Sequence, residues 1–245
     1  MCNEILKMTK RYSNDTELGA KVRGYINRTN EYPTLTVLMC VHSFNGTYDY
    51  FLHQALQSLE MQTYKDFKVL LMLDGCWPNT ITMVRNNSYK LNLEIVERPN
   101  KQGLAFAKNH GLSLIDTELV AYLDCDDYYL PEKLEKQINY FRNNDVDFLA
   151  TETLLLNNNN FMIQSWGLGA YETDEVIKQN IFQSNFLAHG TFMIKKKALD
   201  EIGGYNHVIG MEDWDLWKRA AAANYKFYQL PERLYVFRMN TSVSR

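Results

Sequence analysis

Three aspartates stand close together near the middle of the chain, at Asp124, Asp126 and Asp127. Carboxylates at this spacing repel one another unless a cation or hydrogen-bond donors lie between them. The apolar residues 118–123 before them predict a buried strand, and Pro131 predicts the start of a helix. The acids therefore follow the carboxyl end of a strand, where open α/β sheets bind their ligands. From the spacing alone, they either hold a metal ion or form a solvated turn in which one Asp caps the helix.

Two other acidic positions raise the same choice between chemistry and local structure. Glu212 and Asp213 directly precede an apolar helical pattern at residues 214–222. A carboxylate there can cap the helix, or it can face a cleft and accept a proton. Asp74 ends an earlier apolar strand, and Asp before Gly75 is also a common turn pair. The elements that position these acids must decide between the interpretations.

Short apolar strands alternate with helical patterns through the first half of the chain. Strands are predicted at residues 35–41, 67–73, 93–97 and 118–123, and helices at 50–59, 80–89, 103–111 and 132–143. Near-continuous apolar runs are typical of strands buried on both faces, and the usual connection rules then favour a doubly wound, mostly parallel, Rossmann-like α/β sheet. The second half is less regular, with strands predicted at 146–152 and 192–194, helices at 197–202 and 214–222, and a hairpin tip or surface loop at 157–160.

Composition limits the class of protein. The 245 residues carry 26 basic and 29 acidic side chains, and the formal charge of -3 argues against a general nucleic-acid binder. Cys2, Cys40, Cys76 and Cys125 are too widely spaced for a zinc cluster or a disulfide framework, which favours a reducing compartment. No segment reaches the roughly 18 apolar residues that a bilayer span requires. We therefore expect a cytoplasmic protein with no transmembrane segment and no nucleic-acid partner.

In their order and spacing these features resemble the family 2 glycosyltransferases, inverting enzymes of the GT-A fold that use nucleotide diphosphate sugars. The resemblance covers about residues 34–243. Its landmarks are the opening strand, residues 62–67, Asp74-Gly75, residues 103–109, the Asp-Xaa-Asp (DXD) run at 124–131, Gly203-Gly204-Tyr205, and Glu212-Asp213 followed by residues 217–219. The resemblance implies one GT-A domain at residues 31–245. Residues 1–30 are polar and mixed in charge and are predicted to form an N-terminal extension. Within the domain, residues 31–130 would bind the nucleotide sugar and residues 131–245 would form a smaller acceptor-side elaboration.

On the donor side, the resemblance assigns the metal and the diphosphate to the carboxylate run. Asp126 would ligate Mg²⁺ or Mn²⁺ and Asp124 would orient the donor, while Asp127 would contact the donor or cap the next helix. Asp74 would accept a hydrogen bond from a uracil ring, with a simple turn as its alternative. The other donor contacts implied by the family pattern are Cys40, Val41, His42, Lys108 and Arg238.

Leu73, Arg238 and Lys108 depart from the family pattern. Leu73 stands where relatives often carry a further acid beside Asp74. Arg238 stands where many carry a His that approaches the metal or the diphosphate, and a guanidinium can pair with phosphates but cannot ligate a cation. Lys108 replaces a frequent Arg, and it could meet the donor or remain an exposed helix lysine.

On the acceptor side, the resemblance makes Asp213 the general base that takes the proton from the attacking hydroxyl. Glu212 would bind or orient the acceptor, Trp214 would stack on a sugar, and His189 would lie in the floor of the acceptor site or be purely structural. Trp217, at helical spacing from Asp213, is expected in the core.

The resemblance thus implies an inverting transfer from a UDP-sugar to a hydroxyl of a glycan or glycolipid, with a β-linkage as product, in polysaccharide biosynthesis. Peripheral contact with the inner face of the cytoplasmic membrane is compatible with such an acceptor. A catalytically silent, GT-A-like protein that binds glycans or acts as a scaffold is the alternative, because of Leu73 and Arg238. A nucleotidyltransferase is disfavoured, since residues 43–46 lack a glycine-rich basic loop.

Overall fold

Four parallel strands and the helices between them build the first half of the fold. The structure is a computed structural model that describes residues 33–43, 46, 48–157, 162–164, 171–208 and 210–239. The strands are β1 (Leu35–Val41), β2 (Lys68–Asp74), β3 (Asn92–Arg98) and β4 (Leu119–Tyr122), and the helices are α1 (Asp49–Glu60), α2 (Pro78–Asn86) and α3 (Leu104–Leu114). The sheet order is β3-β2-β1-β4, with every strand parallel to its neighbours. The predicted alternation of strands and helices is confirmed.

The second half extends the same sheet with strands of both directions. Its strands are β5 (Tyr128–Tyr129), β6 (Phe148–Leu156), β7 (Met162–Gln164), β8 (Met193–Lys195) and β9 (Phe227–Arg238). Its helices are α4 (Lys133–Asn143), α5 (Asp174–Asn180), α6 (Lys196–Ile202) and α7 (Glu212–Ala222), with a 3-10 turn at His189–Thr191. The sheet continues β4-β8-β6-β9-β5, where only the β6–β9 pair is parallel, and β7 pairs antiparallel with β6.

The sequence did not predict β5, β7, α5 or β9. The long strand β9 was missed because it contains Pro231, which cannot donate to a ladder and is tolerated in a strand mainly at edges and bulges. The pairing with β6 shifts register there: Thr151 lies opposite Leu230, whereas Glu152 lies opposite Arg233. A bulge therefore absorbs the proline.

Both faces of the sheet are covered, as the apolar runs predicted. Along β1, Leu38 and the partly buried Cys40 pack into one core cluster, while Val37 and Met39 pack into a second cluster on the other face. Side chains alternate along a strand, so a strand buried on both faces must be apolar at nearly every position. The doubly wound α/β class is confirmed.

Some of the predicted features fall outside this description. The predicted N-terminal extension at residues 1–30 and residues 158–160 of the predicted turn lie outside the described residues. Among the described residues, no helix is both long enough and apolar enough to cross a membrane.

Candidate active site

Residues 123–127 form the loop between β4 and β5 that carries the three aspartates, and we call it the carboxylate loop. Strand β9 anchors this loop from inside the protein. Asp127 is 0% exposed, and its carboxylate accepts hydrogen bonds from the Tyr235 hydroxyl at 2.6 Å and the Arg238 backbone N–H at 2.7 Å. Burial, reinforced by repulsion from Asp126 and Asp124, raises the pKa of Asp127 well above its ordinary value. Helix α4 receives no side-chain cap, so the helix-cap interpretation of Asp127 is wrong. This acid fixes the loop to the sheet.

Asp124 and Asp126 differ from Asp127 because both remain partly exposed. The described residues contain no group of three or more acidic, His or Cys side chains that could enclose a metal. Mg²⁺ is often held by only one or two carboxylates together with substrate phosphates, and Mn²⁺ also prefers oxygen ligands. The two aspartates therefore fit a divalent cation that shares its coordination with a diphosphate.

Arg238 supports the same loop from the end of β9. Its guanidinium donates to the Asp126 backbone carbonyl at 2.5 Å and to Gln54 Oε1 at 2.5 Å. It packs over the rings of Phe51 and Tyr128, with 4.8 Å to each centroid. Burial lowers the pKa of Arg238, but a guanidinium stays charged in proteins. A fixed positive charge thus lies against the carboxylate loop, and its predicted contact with phosphates stays a prediction.

Asp74 joins the end of β2 to the start of α3. Its buried carboxylate accepts hydrogen bonds from the backbone N–H groups of Gln102, at 3.1 Å, and Gly103, at 3.0 Å. Arg98 Nε lies 3.7 Å from Asp74 Oδ1. A negative charge is favoured at a helix N-terminus, which explains why an acid is placed here. The predicted uracil contact is not tested by these bonds and stays a prediction.

The end of β1 lies among the predicted donor residues. Burial raises the pKa of the Cys40 thiol to about 12, and the charges of Lys108, Asp124 and Asp74 act on the same thiol. His42 Nδ1 lies 2.8 Å from the Asp74 backbone carbonyl oxygen, which orients the imidazole ring. The Val41 side chain is buried in the core. The structure therefore brings Cys40, His42, Asp74, Lys108 and Asp124 to one edge of the sheet.

Lys108 crosses from α3 to α7 and pairs with Glu212. Its Nζ lies 2.9 Å from Glu212 Oε1, and the two residues are only 3% and 8% exposed. The ammonium also lies 5.0 Å from the centroid of the Tyr205 ring. The interpretation of Lys108 as an exposed helix lysine is wrong. The pair joins the predicted donor half to the helix that carries the predicted base.

Asp213 lies beside this pair in the first turn of α7. Its carboxylate accepts a hydrogen bond from the Trp214 backbone N–H at 2.7 Å, and Asn185 Nδ2 lies 3.3 Å from both carboxylate oxygens. Burial raises the pKa of Asp213, the nearby Lys108 opposes that shift, and Glu212 adds to it. A fixed carboxylate with a raised pKa has the properties of a general base. Sequence reasoning missed Asn185, which lies in an irregular segment without a motif.

His189 lies beneath the site as part of an aromatic cluster. Its Nε2 lies 2.8 Å from the Tyr205 hydroxyl, and its ring stacks on Trp217 with 5.8 Å between centroids. Burial holds the pKa of His189 well below its ordinary value, so the buried ring is neutral. Trp217 is fully buried, as predicted. These contacts favour the structural interpretation of His189.

Trp214 packs toward α5 rather than standing free. Its indole N–H donates to the Ile181 backbone carbonyl at 2.6 Å, and Lys218 Nζ lies 4.3 Å from the centroid of its ring system. A sugar could therefore stack only on the part of the ring that Lys218 leaves open. The predicted contact with the acceptor stays a prediction.

Comparison with known proteins shows the family of the chain. The family model described as Glycosyl transferase family 2 matches residues 39–203. The chain belongs to this family. This family 2 glycosyltransferase is 27% identical over 210 residues to an uncharacterised glycosyltransferase of Methanocaldococcus jannaschii, covering 84% of the chain and 71% of that relative. It is 29% identical over 215 residues to the O-antigen biosynthesis glycosyltransferase WbnJ of Escherichia coli, covering 84% and 80%.

Solved structures share the fold of this family 2 glycosyltransferase. Staphylococcus aureus TarS (residues 1–349) in complex with UDP-GlcNAc superposes with a TM-score of 0.70 at 18% identity, over 86% of this chain and 60% of that one. The mannosyltransferase PcManGT of Pyrobaculum calidifontis, in complex with GDP-Man and Mn²⁺, gives a TM-score of 0.66 at 17% identity, over 87% and 59%. This chain thus covers about 60% of each of these two solved chains, and 37% of the longer solved chain of TarS. The predicted GT-A fold is confirmed.

Proposed function

We propose that this protein is an inverting glycosyltransferase that moves a sugar from a UDP-sugar to a hydroxyl of a glycan or glycolipid and forms a β-linkage. The observation that carries the proposal is that the Asp213 carboxylate is fixed by hydrogen bonds and has a raised pKa. The carboxylate is held by the Trp214 N–H and by Asn185, and burial raises its pKa, which makes the carboxylate a better proton acceptor. The same helix is joined by Lys108 to the edge of the sheet that carries Asp124 and Asp74.

The reaction would be a single displacement. The Asp213 carboxylate accepts the proton of the acceptor hydroxyl while that oxygen attacks the anomeric carbon. The bond between the anomeric carbon and the diphosphate oxygen breaks on the opposite face, and both bonding electrons leave with the diphosphate. Attack opposite to the leaving group inverts the configuration, so an α-linked donor gives a β-linked product.

On the donor side, Asp126, with Asp124 beside it, would hold Mg²⁺ or Mn²⁺ together with diphosphate oxygens. Such a cation, when bound, offsets the negative charge that develops on the leaving group. Asp127, Tyr235 and the main chain of Arg238 keep the loop in place, so its two outer carboxylates need no rearrangement when the donor arrives. The Arg238 guanidinium adds a permanent positive charge behind the loop.

The acceptor class and the cellular site belong to the same proposal. The Escherichia coli relative is named for O-antigen biosynthesis, and a relative from Erwinia amylovora is named for amylovoran biosynthesis. These names support a polysaccharide or its lipid-linked precursor as the acceptor. We place the reaction in the cytoplasm, with peripheral contact to the inner face of the membrane where a lipid-linked acceptor would be reached.

The matched variants Asp213→Asn and Asp215→Asn test the base. Asp215 lies on the same helix, but its carboxylate binds Arg219 Nε at 2.8 Å and Asn206 Nδ2 at 3.0 Å. Release of UDP would be measured with a panel of UDP-sugars, Mn²⁺ and glycan acceptors, and donor binding by calorimetry. We expect Asp213→Asn to lose at least about 100-fold in turnover, the scale of general base catalysis, with donor binding retained. We expect Asp215→Asn to stay close to wild type.

Equal turnover in the two variants would contradict the assignment of the base. A wild-type protein that binds a glycan but releases no UDP from any donor would contradict transfer itself. That outcome would support the silent glycan-binding alternative.

A further inference from the structure

The ion pair between Lys108 and Glu212 is unusual because both partners are buried and come from different parts of the chain. Lys108 lies on α3, Glu212 lies in the first turn of α7, and their charged atoms are 2.9 Å apart. Removing charged groups from water is unfavourable, and a buried pair often contributes little net stability compared with apolar side chains of the same size. A contribution to stability therefore does not account for a buried ion pair at this position.

The pair is placed directly next to the carboxylate proposed as the base. Glu212 precedes Asp213 in the chain, and the Lys108 charge acts on Asp213 as well as on its own partner. The two charges influence Asp213 in opposite directions, because a nearby cation favours a carboxylate and a nearby anion disfavours it. Their mutual bond also links the first turn of α7 to α3.

We propose that the Lys108–Glu212 ion pair is a positioning device for the base: it seats the first turn of α7 on α3 and balances two opposite charges at the Asp213 carboxylate. This inference rests on the proposed function of Asp213. It gives Lys108 a role other than the predicted contact with the donor phosphates, and Glu212 a role other than direct binding of the acceptor.

Among the described residues, the other groups that act on Asp213 or lie near it on α7 are uncharged or paired elsewhere. Asn185 and the Trp214 backbone N–H donate to its carboxylate, and the Asp213 charge also acts on the Tyr205 phenol, whose pKa is raised chiefly by burial. Asp215, the next acid on α7, is paired with Arg219. Lys108 and Glu212 are therefore the two charges whose removal should be felt at Asp213.

The experiment replaces each charge by a neutral side chain of similar size, in Lys108→Met and Glu212→Gln. The titration of Asp213 would be followed by carbon-13 NMR of the labelled carboxyl group, and the pH dependence of sugar transfer would be measured in parallel. Lys108→Met should move the titration, and with it the acid limb of the rate profile, to higher pH by about 1 unit. Glu212→Gln should move both to lower pH. The KM for the donor should not change in either variant.

The control is Lys178→Met, which removes an ion pair of 2.8 Å between α5 residues Lys178 and Asp174 and should leave the Asp213 titration unchanged. If Lys108→Met does not fold, Glu212→Gln carries the test, because its amide oxygen can still accept a hydrogen bond from Lys108. Two shifts in the same direction, or no shift, would overturn the proposal. A higher donor KM for Lys108→Met with an unchanged titration would also overturn it and would restore the donor contact.

The NMR measurement does not require turnover. Opposite shifts without transfer activity would therefore support the electrostatic coupling and refute the proposed function. Transfer activity without shifts would support the proposed function and refute the electrostatic coupling.

Discussion

Tyr235 and Tyr225 provide a matched test of how the carboxylate loop is held. Each hydroxyl donates to a carboxylate at 2.6 Å, Tyr235 to Asp127 inside the protein and Tyr225 to Glu201 near the surface. Replacing either Tyr by Phe removes one oxygen and leaves the ring in place. The bond length is the same in the two cases, but the Tyr235 hydroxyl also lies 3.4 Å from Asp124 Oδ2. The difference between the variants therefore measures burial together with this longer second contact.

In Tyr235→Phe, Asp127 keeps one donor, the Arg238 backbone N–H, and loses the other. A buried acceptor that loses a hydrogen bond cannot turn to water, and the loss destabilises a protein by about 1–3 kcal/mol. We expect the free energy of unfolding to fall by about 2 kcal/mol, which corresponds to a fall in Tm of about 4–8 °C for a chain of this size. In Tyr225→Phe, water can replace the hydroxyl, so the loss should be about 0.5 kcal/mol or less.

The assay is urea unfolding of wild type and both variants at one pH, followed by tryptophan fluorescence and circular dichroism. Equal slopes against urea would confirm that only stability has changed. A Tyr235→Phe variant as stable as Tyr225→Phe would refute the reasoning, because the Tyr235 hydroxyl would then not be holding a buried acid. Calorimetry with UDP would show whether the loosened loop also weakens donor binding.

Two further predictions concern residues next to this anchor. In Gly190→Ala, the added Cβ would lie 2.1 Å from the Tyr235 hydroxyl oxygen, so we expect a loss of about 3 kcal/mol in urea unfolding. Gly203→Ala should lose only about 1 kcal/mol: its φ of 83° is strained for alanine, but apart from its chain neighbours no atom of the described residues lies within 4 Å of the added Cβ. Equal losses in the two variants would contradict the overlap at Gly190. Burial keeps the pKa of His189 below that of the unfolded chain, so protonation of the unfolded state should destabilise wild type as pH falls through about 6.5. His189→Gln should lack this loss. The explanation would be wrong if the free energy of unfolding changed by the same amount between pH 7.5 and pH 5 in both proteins.

Strands β1 and β9 show how far local sequence specifies this fold. β1 could be predicted because burial on both faces requires an apolar side chain at nearly every position. β9 is longer, but it contains Pro231, Glu232 and Arg233, so its local pattern is not that of a strand. Its identity depends on pairing with β6 and on a bulge opposite Glu152, which no local pattern contains.

The residues of the candidate site also differ in how far sequence predicts them. Local sequence places Asp126 after β4 and Asp213 at the start of α7, but it leaves a turn or a helix cap open for each acid. Their predicted roles as metal ligand and base could be taken from the family resemblance. The role of Asp127 could not, since its partner Tyr235 is 108 residues away in the chain. The Lys108–Glu212 pair was equally hidden, because both residues are of types that usually lie at the surface.

The anchoring of the carboxylate loop by β9 also constrains when the site can form. Asp127 and Arg238 are 111 residues apart in the chain, so the bond between them must wait until β9 has been synthesised. Strands β1 to β4 can leave the ribosome and pair well before that point. The loop that carries the aspartates is therefore synthesised long before the strand that anchors it, and we expect this loop to become ordered only after β9 has paired.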